Sequence, residues 1–116
     1  MNKLLIKRVY EKTDKADGYR ILVDRNWPRG IRKIEAKIDL WLKEIAPSNE
    51  LRKWFDHDPD KWKQFHSKYY KELKSKEAEL KIIKQHLKSS TVTLLYGAKD
   101  KEHNQAVALL EYILKK

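Results

Sequence analysis

The chain has 116 residues, 41% of them hydrophobic, and carries 27 Lys and Arg against 17 Asp and Glu for a formal charge of +10. That length supports one hydrophobic core, so one domain over residues 1–116 is expected, and the apolar fraction excludes wholesale disorder. The absence of cysteine excludes disulfides, thiol nucleophiles and thiolate-held zinc.

The first stretch, MNKLLIKRVYE, places a lysine before an apolar run that Lys7 and Arg8 cut short, and no small-residue cleavage site follows. It does not read as a signal peptide, and no run approaches the roughly 18 apolar residues of a spanning helix. A cytoplasmic protein with no membrane partner is expected. Residues 3–9 (KLLIKRV) and 19–24 (YRILVD) suit strands. The turn chemistry between them ends in Asp17-Gly18 and is too short for a helical crossover, which predicts antiparallel neighbours. In RKIEAKIDLWLKEIAPS, Ile38, Leu40 and Leu42 alternate with Asp39, Trp41 and Lys43. A short strand over 38–42 is expected there, although Ala36 and Glu44 suit a helix equally.

Helical signals follow. Ser48 can cap a short helix in APSNELRKWF. Asp58 can cap the next, with Pro59 at its first position and Asp60 in its first turn. Trp62, Phe65, Tyr69 and Leu73 form one apolar stripe; after a polar patch at 74–77, Leu80, Ile83 and Leu87 resume it, as one bent helix or two. TVTLLYGAKD holds the strongest buried strand, residues 91–96, ending at Gly97. Asp100 can cap a last helix in which Ala106, Val107, Leu110, Ile113 and Leu114 share a face. The order predicts a layered α/β fold, with a mixed, mostly parallel sheet of about three to four strands flanked by helices.

If strands 19–24 and 91–96 run parallel, their carboxyl ends share the edge where open α/β sheets bind ligands. One loop would bring Asp24, Arg25, Trp27 and Arg29, and the other Lys99, Asp100, His103 and Asn104. Arg25, Arg29, Lys99 and free amides at the last helix's amino terminus could hold a phosphate or carboxylate. Asp24 and His103 are the candidate acid–base pair, and Asn104 could orient the ligand. The plainer readings are an ion pair of Asp24 with Arg25 or Arg29, a Trp27 lid packed on the core, an idle surface histidine, and a backbone-satisfying asparagine. A small anionic ligand is the partner this loop pair favours. The motifs identify no cofactor and no reaction.

Other constellations are weaker. His57 lies among Asp56, Asp58 and Asp60, but the spacing fits no calcium loop or zinc signature, so no metal is expected. No P-loop, dinucleotide-binding glycine signature or nucleophile elbow is present. Lys61, Lys63, Lys68, Lys71, Lys74, Lys81, Lys84 and Lys88 read as a solvated helix surface, with nucleic-acid binding as the alternative. The aromatic residues from Trp41 to Tyr70 read as core; an exposed, self-complementary patch among them would give a homodimer, or a non-catalytic interaction module.

Four ordered blocks, GYRILVDRNWPRG, DLWLKEIAPS, LRKWFDHDPDKW and VTLLYGAKDKEHNQAVAL, resemble the YeaO-like branch of the domain-of-unknown-function 488 family over nearly the whole chain. The resemblance implies a small cytoplasmic α/β protein. It also marks as motif residues Asp24, Arg25, Trp27, Pro28, Arg29 and Gly30, then Lys43, Glu44, Ala46, Pro47 and Ser48. Arg52, Trp54, Phe55, His57, Asp58, Asp100, His103 and Asn104 complete the set. The broader family carries a cysteine-histidine-arginine stretch after its last strand. Here the comparable residues read EHNQA, so thiol chemistry is not implied.

Overall fold

The computed structural model describes residues 2–115. At the centre of its sheet is β4 (Val92–Tyr96), every residue of which is buried. β1 (Leu4–Arg8) and β2 (Tyr19–Leu22) flank it, and the short β3 (Leu40–Trp41) pairs with β2. The order is β1-β4-β2-β3 and every pair is parallel. A parallel sheet must be covered on both faces, which is why VTLLY reads as a continuous run.

Alternation divides the core. Ile21, Val23, Val92, Leu94 and Tyr96 face the helical layer, while Val9, Leu22 and Leu95 form a smaller cluster on the opposite face. The helical layer comprises α2 (Asn49–Phe55), α3 (Trp62–Leu73), α4 (Glu77–Ser89) and α5 (Gln105–Lys115). Ser48 caps α2 by accepting the Leu51 amide at 3.1 Å. Asp58 caps a single 3₁₀ turn, Pro59–Lys61, which leads into α3. The polar patch separates α3 from α4: the Ser75 and Lys76 amides turn back onto Glu72 and Leu73, and α4 starts afresh. Leu73 and Ile83 are fully buried, and each such side chain contributes about 1.5–3 kcal/mol.

Two expectations are corrected. β1 and β2 are not antiparallel neighbours, because β4 lies between them and both run parallel to it. Ten residues extended reach about 33 Å, so the 9–18 segment returns along the sheet with only a 3₁₀ turn at Lys15–Asp17 and no α-helix. It crosses the face opposite the helical layer, which α1 (Lys33–Ala36) also adjoins: the Arg20 guanidinium holds the Ala36 and Lys37 carbonyls there. The buried face of α5 is Ala106, Ala108, Leu109, Tyr112 and Ile113, whereas Leu114 is 65% exposed. At about 100° per residue, docking against β1 and β4 rotates the buried stripe away from the expected one.

Gly18 makes the close entry to β2 feasible. Its φ is +67°, and an added Cβ would lie 2.1 Å from the Thr91 carbonyl oxygen. Beside it, Asp17 and Arg20 are almost fully buried. Asp17 pairs with Lys7 at 3.0 Å and Arg20 at 2.5 Å. Burial works against the charged form of Asp17, but the Lys7, Asp14 and Arg20 bonds outweigh it and hold the carboxyl below its usual range. Among the described residues no helix is long and apolar enough to cross a membrane.

Candidate functional site

The parallel pairing of β2 with β4 brings their carboxyl ends to one edge, and a cavity of about 580 Å³ opens there. That volume suits a small organic ligand. Three stretches form its walls: the residues after β2, those running from Ala46 through α2 to His57, and those from Ala98 to Gln105.

Asp24 ties two of these stretches together. One carboxylate oxygen accepts the Gly97 amide at 2.9 Å, and the other accepts the Gln105 side-chain amide. Burial pushes the Asp24 carboxyl up to about 6, opposed by the Gly97 amide, the Gln105 amide and the charge of Arg52. Its carbonyl accepts the Trp41 indole N–H at 2.7 Å, which anchors β3 to the same loop. Arg25 fixes the third wall: its guanidinium donates to the Pro47 carbonyl at 3.2 Å and the Ala46 carbonyl at 2.9 Å, and lies 3.8 Å from Glu44. The α2 entrance is held to α3 by Glu72, which accepts the Ser48 amide at 2.8 Å and hydroxyl at 2.6 Å.

His103 and Asn104 also line the cavity. The His103 Nδ1 lies 2.9 Å from an Asp100 carboxylate oxygen, and its ring meets Trp62 edge-on at 5.4 Å. The Glu102 amide, then the His103 ring, hold the Asp100 carboxyl below its usual range. An ionised Asp100 makes Nδ1 the donor in that bond. Asn104 is the buried cap of α5: its Oδ1 accepts the Val107 amide at 3.0 Å and its Nδ2 donates to the Asp100 carbonyl at 2.9 Å. Several of the amides around the start of α5 are therefore occupied by side chains. Asp100 takes those of Glu102 and His103, because side chains that cap a helix consume its anion-binding groups.

Of the residues anticipated from sequence, Asp24, Arg25, His103 and Asn104 line the cavity. Among the described residues no hydrogen bond joins Asp24 to His103; each is bonded elsewhere. Trp27, Arg29 and Lys99 are not among the lining residues. Trp27 packs on the opposite sheet face, with its indole N–H on the Ile31 carbonyl at 2.8 Å and its ring 5.3 Å from Trp41. Arg29 and Lys99 are exposed. Arg29 sits between Pro28 and Gly30 in the bend after β2, Gly30 at φ +78°.

The cations on the wall come instead from α2. Arg52 makes a 3.0 Å bond to the Asn49 side chain and has no carboxylate within ion-pair distance, while Lys53 has no ion-pair partner among the described residues. His57 lines the same wall, placed by two consecutive left-handed residues, Asp56 at φ +47° and His57 at φ +55°. Such backbone costs about 1–2 kcal/mol per residue and is concentrated at functional sites. Arg52 is marked only by the family resemblance, His57 by that resemblance and by the set-aside metal reading, and Gln105 lies inside EHNQA. Nothing local distinguishes Lys53 from any other helical lysine. No group of three or more His, Asp or Glu among the described residues is arranged to hold a metal ion.

Comparison with known proteins supports the family resemblance. Residues 3–116 match the family described as the inactive DUF488-N3 subclade. "Uncharacterized protein YeaO" of Escherichia coli (strain K12) is 45% identical over 107 residues, covering 92% of this chain and 93% of that protein. "Uncharacterized protein Rv3073c" of Mycobacterium tuberculosis (strain H37Rv) is 44% identical over 82 residues, covering 71% of this chain and 70% of that protein. No solved structure matches the chain.

Proposed function

The chain belongs to the inactive DUF488-N3 subclade, and from that premise we propose that it binds a small anionic ligand in the strand-end cavity without turning it over. The carrying observation is the pair of cations, Arg52 and Lys53, on the wall of a cavity of about 580 Å³, neither of them within ion-pair distance of a carboxylate among the described residues. Both side chains are exposed, and their charge acts by converging on a concave wall, where a field of one sign concentrates an anion. The description of the family as inactive favours binding over chemistry. The engagement of Asp24 with Gly97 and Gln105, and of His103 with Asp100, supports the same choice. A cytoplasmic location belongs to this reading and rests on the cysteine-free composition.

Calorimetric titration with phosphate, sulfate and acetate tests it. Saturable binding is expected, and Arg52→Met and Lys53→Met should each weaken it about tenfold, equivalent to about 1.4 kcal/mol. Arg29→Met and Lys99→Met should change it less than about twofold, because neither side chain lines the cavity. Equal losses in all four variants would mean unspecific attraction to a basic surface, and the proposal would fall.

A second reading has its own observation: residues 61–90 carry nine lysines against three glutamates. Lys63, Lys71, Lys74, Lys81, Lys84 and Lys88 are exposed there, whereas Lys61 and Lys68 cover the Trp54 ring at 5.2 and 4.8 Å. Nucleic-acid binding through that surface would fall steeply with added salt.

A further inference from the structure

The hydrogen-bonding capacity left over in the cavity is more specific than its charge. Asn104 is buried and committed to the turn: its oxygen accepts the Val107 amide and its nitrogen donates to the Asp100 carbonyl. Gln105 is half spent. Its Nε2 donates to Asp24, and its Oε1 has no partner among the described residues. Asp24 accepts one bond at each oxygen, whereas an ionised carboxylate offers about four acceptor positions. At the strand ends, therefore, acceptor positions remain on Asp24 and on Gln105 Oε1. On the α2 wall stand the donors of Arg52 and Lys53, beside Asp56 and His57.

An anion alone would use the α2 wall and leave the acceptors facing it, with Asp24 repelling it. A ligand that also carries N–H donors satisfies both sets. We propose, resting on the anion-binding reading, that the ligand is an amino-bearing organic acid. Its acid group faces Arg52 and Lys53, and its amine donates to Asp24 and to Gln105 Oε1. Ala46, Ala98, Phe55 and Phe65 supply an apolar lining against which the body of the molecule lies. The cavity's volume belongs to the range of organic ligands, well above the needs of a bare inorganic ion. Raised to about 6, the Asp24 carboxyl is still mostly ionised above neutrality and can receive an ammonium.

Three probes sharing one ring separate the two recognition elements: L-phenylalanine with both groups, 3-phenylpropionate with the acid only, and phenethylamine with the amine only. In calorimetry at pH about 7.5, L-phenylalanine should bind at least about tenfold more tightly than either of the others. Asp24→Asn should remove its advantage over 3-phenylpropionate while leaving 3-phenylpropionate binding within about threefold. Arg52→Met should weaken both acids by similar factors. Phenylpropionate binding as tightly as phenylalanine would overturn the amine assignment and leave the anion reading standing. Phenethylamine binding as tightly as phenylalanine would overturn both. If none of the three binds at millimolar concentration, the amino-acid assignment is overturned, and an inorganic phosphate titration then decides the anion reading alone.

Discussion

Two polar clusters sit on the strands of this sheet, and they are built to different ends. At the entrance to β2, Asp17, Arg20 and Lys7 satisfy one another: Arg20 spends its guanidinium on Asp17 and on the Ala36 and Lys37 carbonyls, and little of Asp17 or Arg20 meets water. At the exit of β2, Asp24 is partly buried and hydrogen-bonded, yet the nearby cations Arg52 and Lys53 have no carboxylate within ion-pair distance among the described residues and stand around an open cavity. The first arrangement depresses its carboxyl and the second raises its own. Saturated polar networks specify structure, whereas unsaturated ones at strand carboxyl ends are available to a ligand.

The comparison breaks most visibly at the entrance. Arg20→Met should destabilise the protein by about 3–5 kcal/mol in urea unfolding, because Asp17 would keep its burial and lose its closest partner. A loss below about 1 kcal/mol would mean that the cluster is not the clip described here. Arg52→Met, at the exit, should leave stability within about 0.5 kcal/mol of the parent while weakening the anion.

Asp24→Asn should act in the opposite direction. A carboxyl whose folded value is raised from 3.8 to about 6 binds its proton more tightly when folded. Its contribution to stability is therefore fully present below about pH 4, declines between about pH 4 and 6, and is lost above that. The neutral amide removes this dependence. It should stabilise the protein by about 2–3 kcal/mol at pH 8, with the advantage vanishing near pH 4. Denaturation midpoints of the two proteins across that range check it; no gain at pH 8 would mean that burial of the charge costs little. The smallest expected effect is at His57. Replacement by glycine relieves its left-handed backbone and should stabilise by about 0.5–1 kcal/mol, read as a raised melting temperature, while weakening the anion.

Much of the fold was legible because local patterns carried it. Apolar runs bounded by turn chemistry placed β1, β2 and β4, Ser48 and Asp58 announced their turns, and the stripe Phe65, Tyr69, Leu73 faces the core as its spacing required. What was not legible depends on contacts between distant segments. The 9–18 connection contains no signal that β4 will insert between the strands it joins. The candidate site was half legible for the same reason. Asp24 and His103 lie where strand-end logic put them, but Arg29 and Lys99 project elsewhere, and the cations on the wall come from a helix whose sequence reads as plain surface.

By itself the sequence determined the elements, the α/β class, the basic charge and the loops that would follow the strands, since these rest on spacings of a few residues and on backbone chemistry. Only the tertiary structure decided that α2 turns Arg52, Lys53 and His57 onto the same cavity as Asp24 and Gln105. That meeting depends on how the helical layer packs over the sheet, where side chains tens of residues apart share one space, and no local pattern encodes which of them will remain unpaired.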